Sequence, residues 1–116
     1  MKTKRAKTGT YTPVIFRVWR DQVGGVDAIF PTIAADNYGH QVQCYAHLGQ
    51  HSAGDYQTVM AKTRPATWRE YHSLLIELTN IGYNDLRVFK RAKHSWHQFR
   101  MGNARARMQQ LQKGAA

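Results

Sequence analysis

From Val14 to Phe30 the chain reads as two β-strands joined by a tight turn, and this pairing constrains the fold more than any other stretch. Val14-Ile15-Phe16-Arg17-Val18-Trp19-Arg20 is rich in β-branched and aromatic residues, with Val14, Phe16 and Val18 on one face and Ile15, Arg17 and Trp19 on the other. The Gly24-Gly25 pair supplies positive φ for a turn, and Val26 to Phe30 returns as the second strand of a hairpin. Pro31 is expected to break the pairing, since it has no amide to donate, and Ala35-Asp36-Asn37-Tyr38-Gly39 carries the side chains of a turn. A third strand from His40 or Gln41 to Leu48 alternates strictly. Val42, Cys44, Ala46 and Leu48 face a core, and Gln41, Gln43, Tyr45 and His47 point the other way.

Beyond it, Gly49 to Asp55 reads as a polar loop bracketed by glycines and Tyr56 to Ala61 as a short extended segment. Thr67, with Glu70 three residues on, forms a capping box that opens a helix. Trp68, Tyr71, Leu75 and Leu78, with Leu74 and Ile81, make its apolar stripe, and Gly82 is placed to end it. Trp68 is read as core. Leu86 to Lys90 is a further strand. Arg91 to Leu111 then reads as a second helix or helix pair that Gly102-Asn103 could break, with Ala92, Trp96, Phe99, Ala104, Met108 and Leu111 as an apolar side. The pattern predicts an α+β fold, β-β-β-(β)-α-β. A small antiparallel sheet carries one amphipathic helix on one face and is followed by a basic C-terminal helix. Three segments result: a disordered basic arm over 1–11, the α+β domain over 12–91, and a basic helical extension over 92–116.

Charge is what composition adds. The 116 residues hold 17 Lys and Arg against 7 Asp and Glu, a formal net charge of +10. Residues 1–7 carry four cations and no acid, residues 8–89 six cations against all seven acids, and residues 90–116 seven cations and no acid. A near-neutral body with basic ends points to a polyanion partner, DNA or RNA, gripped through phosphates by Lys2, Lys4, Arg5, Lys7, Lys90, Arg91, Lys93, Arg100, Arg105 and Arg107. On a continuous helix Lys93, His97, Arg100 and Arg107 read as a basic stripe opposite the tryptophan. Two other readings stay open: solvated tails that serve solubility, and an acidic protein partner docked on an apolar patch around Trp96, Phe99 and Met101. Cys44 is the only cysteine, so no disulfide can form within the chain. The N-terminus lacks the apolar core of a signal peptide and no apolar run is long enough for a bilayer. The expectation is an intracellular, cytoplasmic protein with no membrane partner.

The densest set of reactive side chains is Cys44, His47, His51, Ser52 and Asp55. Residues three apart on a strand face opposite ways, so Cys44 and His47 are a poor chelate and no metal or other cofactor is expected. Cys44 lies in the apolar register, which disfavours a thiolate nucleophile, and no enzymatic activity is assigned. An alternative enzyme would use His47, His51 and Asp55. Tyr45, His47, Gln50 and His51 are kept as a candidate polar-loop site, because Gln, His and backbone amides suit phosphate or base-edge contacts. Trp19 is assigned to the core, and Tyr45 is left between core and a stacking platform.

Whole phrases of the chain carry a resemblance. Val14-Ile15-Phe16-Arg17-Val18-Trp19, Ala28-Ile29-Phe30-Pro31, Cys44-Tyr45-Ala46-His47-Leu48-Gly49-Gln50-His51, Lys62-Thr63-Arg64-Pro65-Ala66-Thr67 and Ile81-Gly82-Tyr83 resemble small proteins encoded in phages and other mobile elements, particularly of gut bacteria. The resemblance spans residues 13–91 and implies a genetic-element context in a bacterial host. It brings no enzymatic activity, and the long basic C-terminal extension departs from the pattern.

Overall fold

The computed structural model describes residues 11–21 and 25–115. The elements run β1 (Thr12–Trp19), β2 (Val26–Ala34), β3 (Gln41–Ala46), β4 (Gln50–Asp55), α1 (Tyr56–Lys62), β5 (Thr63–Pro65), α2 (Trp68–Asn80), β6 (Leu86–Phe89) and α3 (His94–Ala115). They form one sheet in the order β4-β3-β2-β1-β5, with β6 also on β1, and the fold is α+β. The β1–β2 hairpin pairs Ile15 with Ile29 and Val18 with Val26. Every pairing is antiparallel except β6 on β1, which is parallel and joins Thr12 to Leu86 and Ile15 to Phe89. The return from α2 brings β6 in along the direction of β1, a connection that a run of hairpins does not contain.

Alternation along the central strands builds two cores, one on each face. Val14, Phe16, Ala28, Phe30 and Tyr45 pack under Leu74 and Leu78 of α2. Ile15, Ile29, Val42 and Cys44 pack under Val59 of α1, with Phe89 and Ala92 against them. The opposite face is therefore covered too, by α1 and by α3, which lies across β2. The capping box at α2 forms as expected, with Thr67 Oγ1 accepting from the Glu70 amide and the Glu70 carboxylate accepting from the Thr67 amide at 2.9 Å. Gly82 takes a φ of +126° just after the last turn.

Several expectations are corrected. The second strand continues through Pro31 to Ala34, and only its register with β3 slips between Phe30 and Ala34, the irregularity where a proline without an amide fits. The third strand stops at Ala46. Leu48 and Gly49 adopt φ of +66° and +78° and turn the chain, leaving the Leu48 side chain 78% exposed rather than in the core. The supposed loop at Gly49–Asp55 is strand β4, paired residue by residue with β3 from Gln41–Asp55 to Ala46–Gln50. Tyr56 to Ala61 is helical, because the Asp55 carboxylate caps α1 by accepting from the Thr58 amide at 3.0 Å. Trp68, read as core, is 58% exposed, since it points roughly 120° around the helix from buried Leu74 and packs on Tyr71 and His72 of its own helix. Ile81 is exposed as well.

The last helix is one continuous 22-residue element, and Gly102-Asn103 does not break it. Both residues are exposed, and a solvent-facing glycine costs only about 1 kcal/mol relative to alanine. Trp96, Arg100 and Ala104 are buried, whereas from Arg105 to Gly114 every residue is exposed apart from half-buried Met108. Phe99 and Leu111 are exposed, so the apolar side expected for this helix is only partly used.

Candidate nucleic-acid interface

Two arginines are buried without a carboxylate, and their acceptors explain how. Arg17 donates from Nε to Thr63 Oγ1 at 2.9 Å and from Nη2 to the carbonyls of Thr63 at 2.8 Å and Met60 at 3.2 Å. It thereby satisfies carbonyls at the C-terminal end of α1, the negative end of the helix dipole. Arg100 is 4% exposed and donates to the Gly39 carbonyl at 2.7 Å and the Pro31 carbonyl at 2.6 Å. Burial pulls both guanidiniums below their ordinary pKa. Arg100 was among the expected phosphate ligands, and this is corrected: it stands four residues from Trp96 and so shares the buried face. The basic stripe opposite the tryptophan dissolves with it. His97 lies half-buried against the Tyr56 ring, centroids 4.7 Å apart, with its Nδ1 2.9 Å from Arg100 Nη1.

The other expected cations stay on the surface. Lys90, Arg91, Lys93, Arg105 and Arg107 are exposed, and none forms an ion pair among the described residues. Lys93 Nζ rests 5.5 Å from the Trp96 ring centroid and 5.8 Å from that of Phe89, which fixes its stem beside the start of α3. Lys2, Lys4, Arg5 and Lys7 lie outside the described residues.

Six of the seven acids, by contrast, accept hydrogen bonds within the body. Asp36 accepts from the Gln41 amide, Asp55 from Thr58, Asp85 from the Thr12 hydroxyl, and Asp27 from Trp19 Nε1 at 2.8 Å. Glu70 joins its capping box to a two-pronged pair with Arg64, which holds its carboxyl at about 2. No acid follows Asp85 in the sequence. The surface from β6 onward is therefore cationic without local compensation.

The polar-loop candidates have different fates. Tyr45, left open between core and platform, is core: it is 1% exposed beneath α2. Its hydroxyl donates to Glu77 and accepts from the Gly49 amide at 2.9 Å. His47 Nδ1 contacts the same carboxylate, and the Leu48 amide donates to it at 2.9 Å. Glu77 thus clamps the β3–β4 turn to α2, and the hydrogen bond from Tyr45, then that from His47, hold its carboxyl at about 2. Glu77 went unread as a site residue. Its only signal is an acid flanking the Leu74–Leu78 stripe at the right turn of the helix.

His51 is exposed with its ring edge-on to Tyr45, and Gln50 lines an open groove of about 460 Å³ with Trp19, Asp27, His47 and Ser52. Burial raises the Asp27 carboxyl, with the Trp19 hydrogen bond opposing it. Cys44 faces α1, where burial pushes its thiol up to about 11, while His47 engages α2 on the other face. His51 and Asp55 sit four residues apart along β4, about 13 Å, and Asp55 is committed to Thr58. No relay joins these two. No helix among the described residues is long and apolar enough to cross a membrane. No protein-family model, curated protein or solved structure matches this chain.

Proposed function

We propose that this chain is a small basic accessory protein, acting in the cytoplasm of a bacterial host in a phage or mobile-element context, that binds DNA or RNA with low sequence specificity. The observation that supports it most is segregation: six of the seven acids accept hydrogen bonds within the body, while Lys90, Arg91, Lys93, Arg105 and Arg107 stay exposed and unpaired among the described residues. Arg105 and Arg107 stand roughly 18 and 21 Å along the helix axis from Lys93 and, two residues apart, project to opposite sides of α3, so phosphates can be met from either flank of the helix. The first turn of α3 holds no acid, so Lys90, Arg91 and Lys93 crowd against the positive end of that helix dipole. A phosphate there relieves a repulsion the protein does not relieve itself. Lys2, Lys4, Arg5 and Lys7 add to the same grip.

The competing reading, an acidic protein partner, loses its tryptophan, since Trp96 is buried, Met101 is half-buried and Phe99 is left as the exposed residue of that patch. Deleting α3 is a poor test, because Trp96, Arg100 and Ala104 belong to the fold. The suitable variant is the full chain with Arg105→Gln and Arg107→Gln, compared by fluorescence anisotropy on labelled DNA and RNA. Weakening by about tenfold or more with an unchanged melting temperature supports the reading. Retained affinity with both arginines neutralised argues against α3 as a grip.

A further inference from the structure

Beside α3 lies a groove of about 390 Å³ bounded by the Asn37–His40 turn, within the range of small-ligand clefts. Resting on the nucleic-acid reading above, we propose that it takes one unpaired nucleotide of a single strand, with the base against the Tyr38 ring and the phosphate on Arg105.

Tyr38 is 68% exposed on a turn whose backbone is fixed at three points. Asp36 accepts from the Gln41 amide, Arg100 holds the Gly39 carbonyl, and Gly39 lies against the backbone of α3. An aromatic ring presented from a rigid turn loses little freedom when a base stacks on it. His40, its centroid 6.1 Å from that of Tyr38, borders the same wall. Met101 and Met108 line the groove with polarizable thioethers, which suit a flat ring. Gln109 and Arg105 stand on the same side of α3, one offering an amide for a base edge and the other a fork for a phosphate.

Charge complementarity selects the occupant. Arg105 lines the groove and forms no ion pair among the described residues, so its guanidinium is open to an external anion. A duplex keeps its bases stacked inside, and only a single strand can bring phosphate and base face to these two groups together.

The test uses the full chain, its Tyr38→Ala and Tyr38→Phe variants, and two labelled probes, oligo(dT) and a blunt DNA duplex of equal length. The expected result is that Tyr38→Ala weakens oligo(dT) binding by about fivefold to a hundredfold, leaves duplex binding alone, and that Tyr38→Phe restores it. Because the side chain is mostly in solvent, the variants should melt with the parent protein. Oligo(dT) affinity unchanged by Tyr38→Ala, or duplex affinity falling equally, overturns the groove assignment while the nucleic-acid reading stands. A parent protein that binds neither probe overturns both.

Discussion

Gly39 and Arg100 are locked together from two sides: Arg100 Nε donates to the Gly39 carbonyl at 2.7 Å, and the missing Gly39 side chain makes room for α3. A Cβ on Gly39 would stand 2.8 Å from Met101 Cα and 3.0 Å from the Arg100 carbonyl, and φ there is +80°. Gly39→Ala should therefore cost about 2 kcal/mol or more, from left-handed strain and displacement of the helix. Arg100→Met strands the Gly39 and Pro31 carbonyls and should cost about 2 to 4 kcal/mol. Urea unfolding checks both, with Arg105→Gln, expected within about 0.5 kcal/mol of the parent, as the exposed control. An Arg100→Met protein as stable as the parent would return Arg100 to the surface.

Acid should act on this fold in two separate windows. His97 has its pKa lowered by burial and then by Arg100 and His94, so the unfolded chain binds the proton more readily. Stability should decline as pH falls below about 6.5, the ordinary histidine value, and Arg100→Met should blunt that decline. Glu70 and Glu77 have carboxyls held at about 2 in the folded state, against an ordinary 4.5. Their contribution is complete above 4.5 and is lost as pH falls toward 2. Denaturant midpoints measured across this range should show Glu77→Gln flattening the lower window alone.

The Cys44 thiol, buried and raised to about 11, should resist thiol reagents in the folded protein. Its modification rate at pH 8 should follow global unfolding and speed up with urea. A fast, urea-independent reaction would mean that α1 does not cover it. Gly54→Ala should accelerate the reaction, because a Cβ there would press within 2.8 Å of Val59 and lift α1.

How much of this was legible in the sequence depended on whether local chemistry or tertiary pairing decided the element. The β1–β2 hairpin and the Thr67 to Glu70 capping box carry their own signals, and both formed as expected. Strand β4 carries none: Gln50-His51-Ser52-Ala53-Gly54-Asp55 has no β-branched residue and is a strand only because β3 offers its edge. Helix α1 had one signal, Asp55 three residues before Thr58, which the polar surroundings obscured. Tyr45 looked like a polar-face residue while the sheet was taken to have one packed face, and α2 buries it. Arg100 carries the charge of a phosphate ligand, but its four-residue spacing from Trp96 puts it on the buried face of α3. The exposed cations from Lys90 to Arg107 were legible as charge, and their freedom from partners required the fold.

The most direct test of a phosphate grip is the salt dependence of binding. With Arg100 buried, nine of the ten cations that the sequence offers to phosphates remain, five of them exposed among the described residues. If about six make contacts, affinity for DNA or RNA should fall roughly a thousandfold between about 50 and about 200 mM salt, and the slope of log affinity against log salt should lie near −5 for a duplex. Anisotropy titrations of the full chain across that series read the slope. A flat response, or no binding at the lowest salt, would contradict the account.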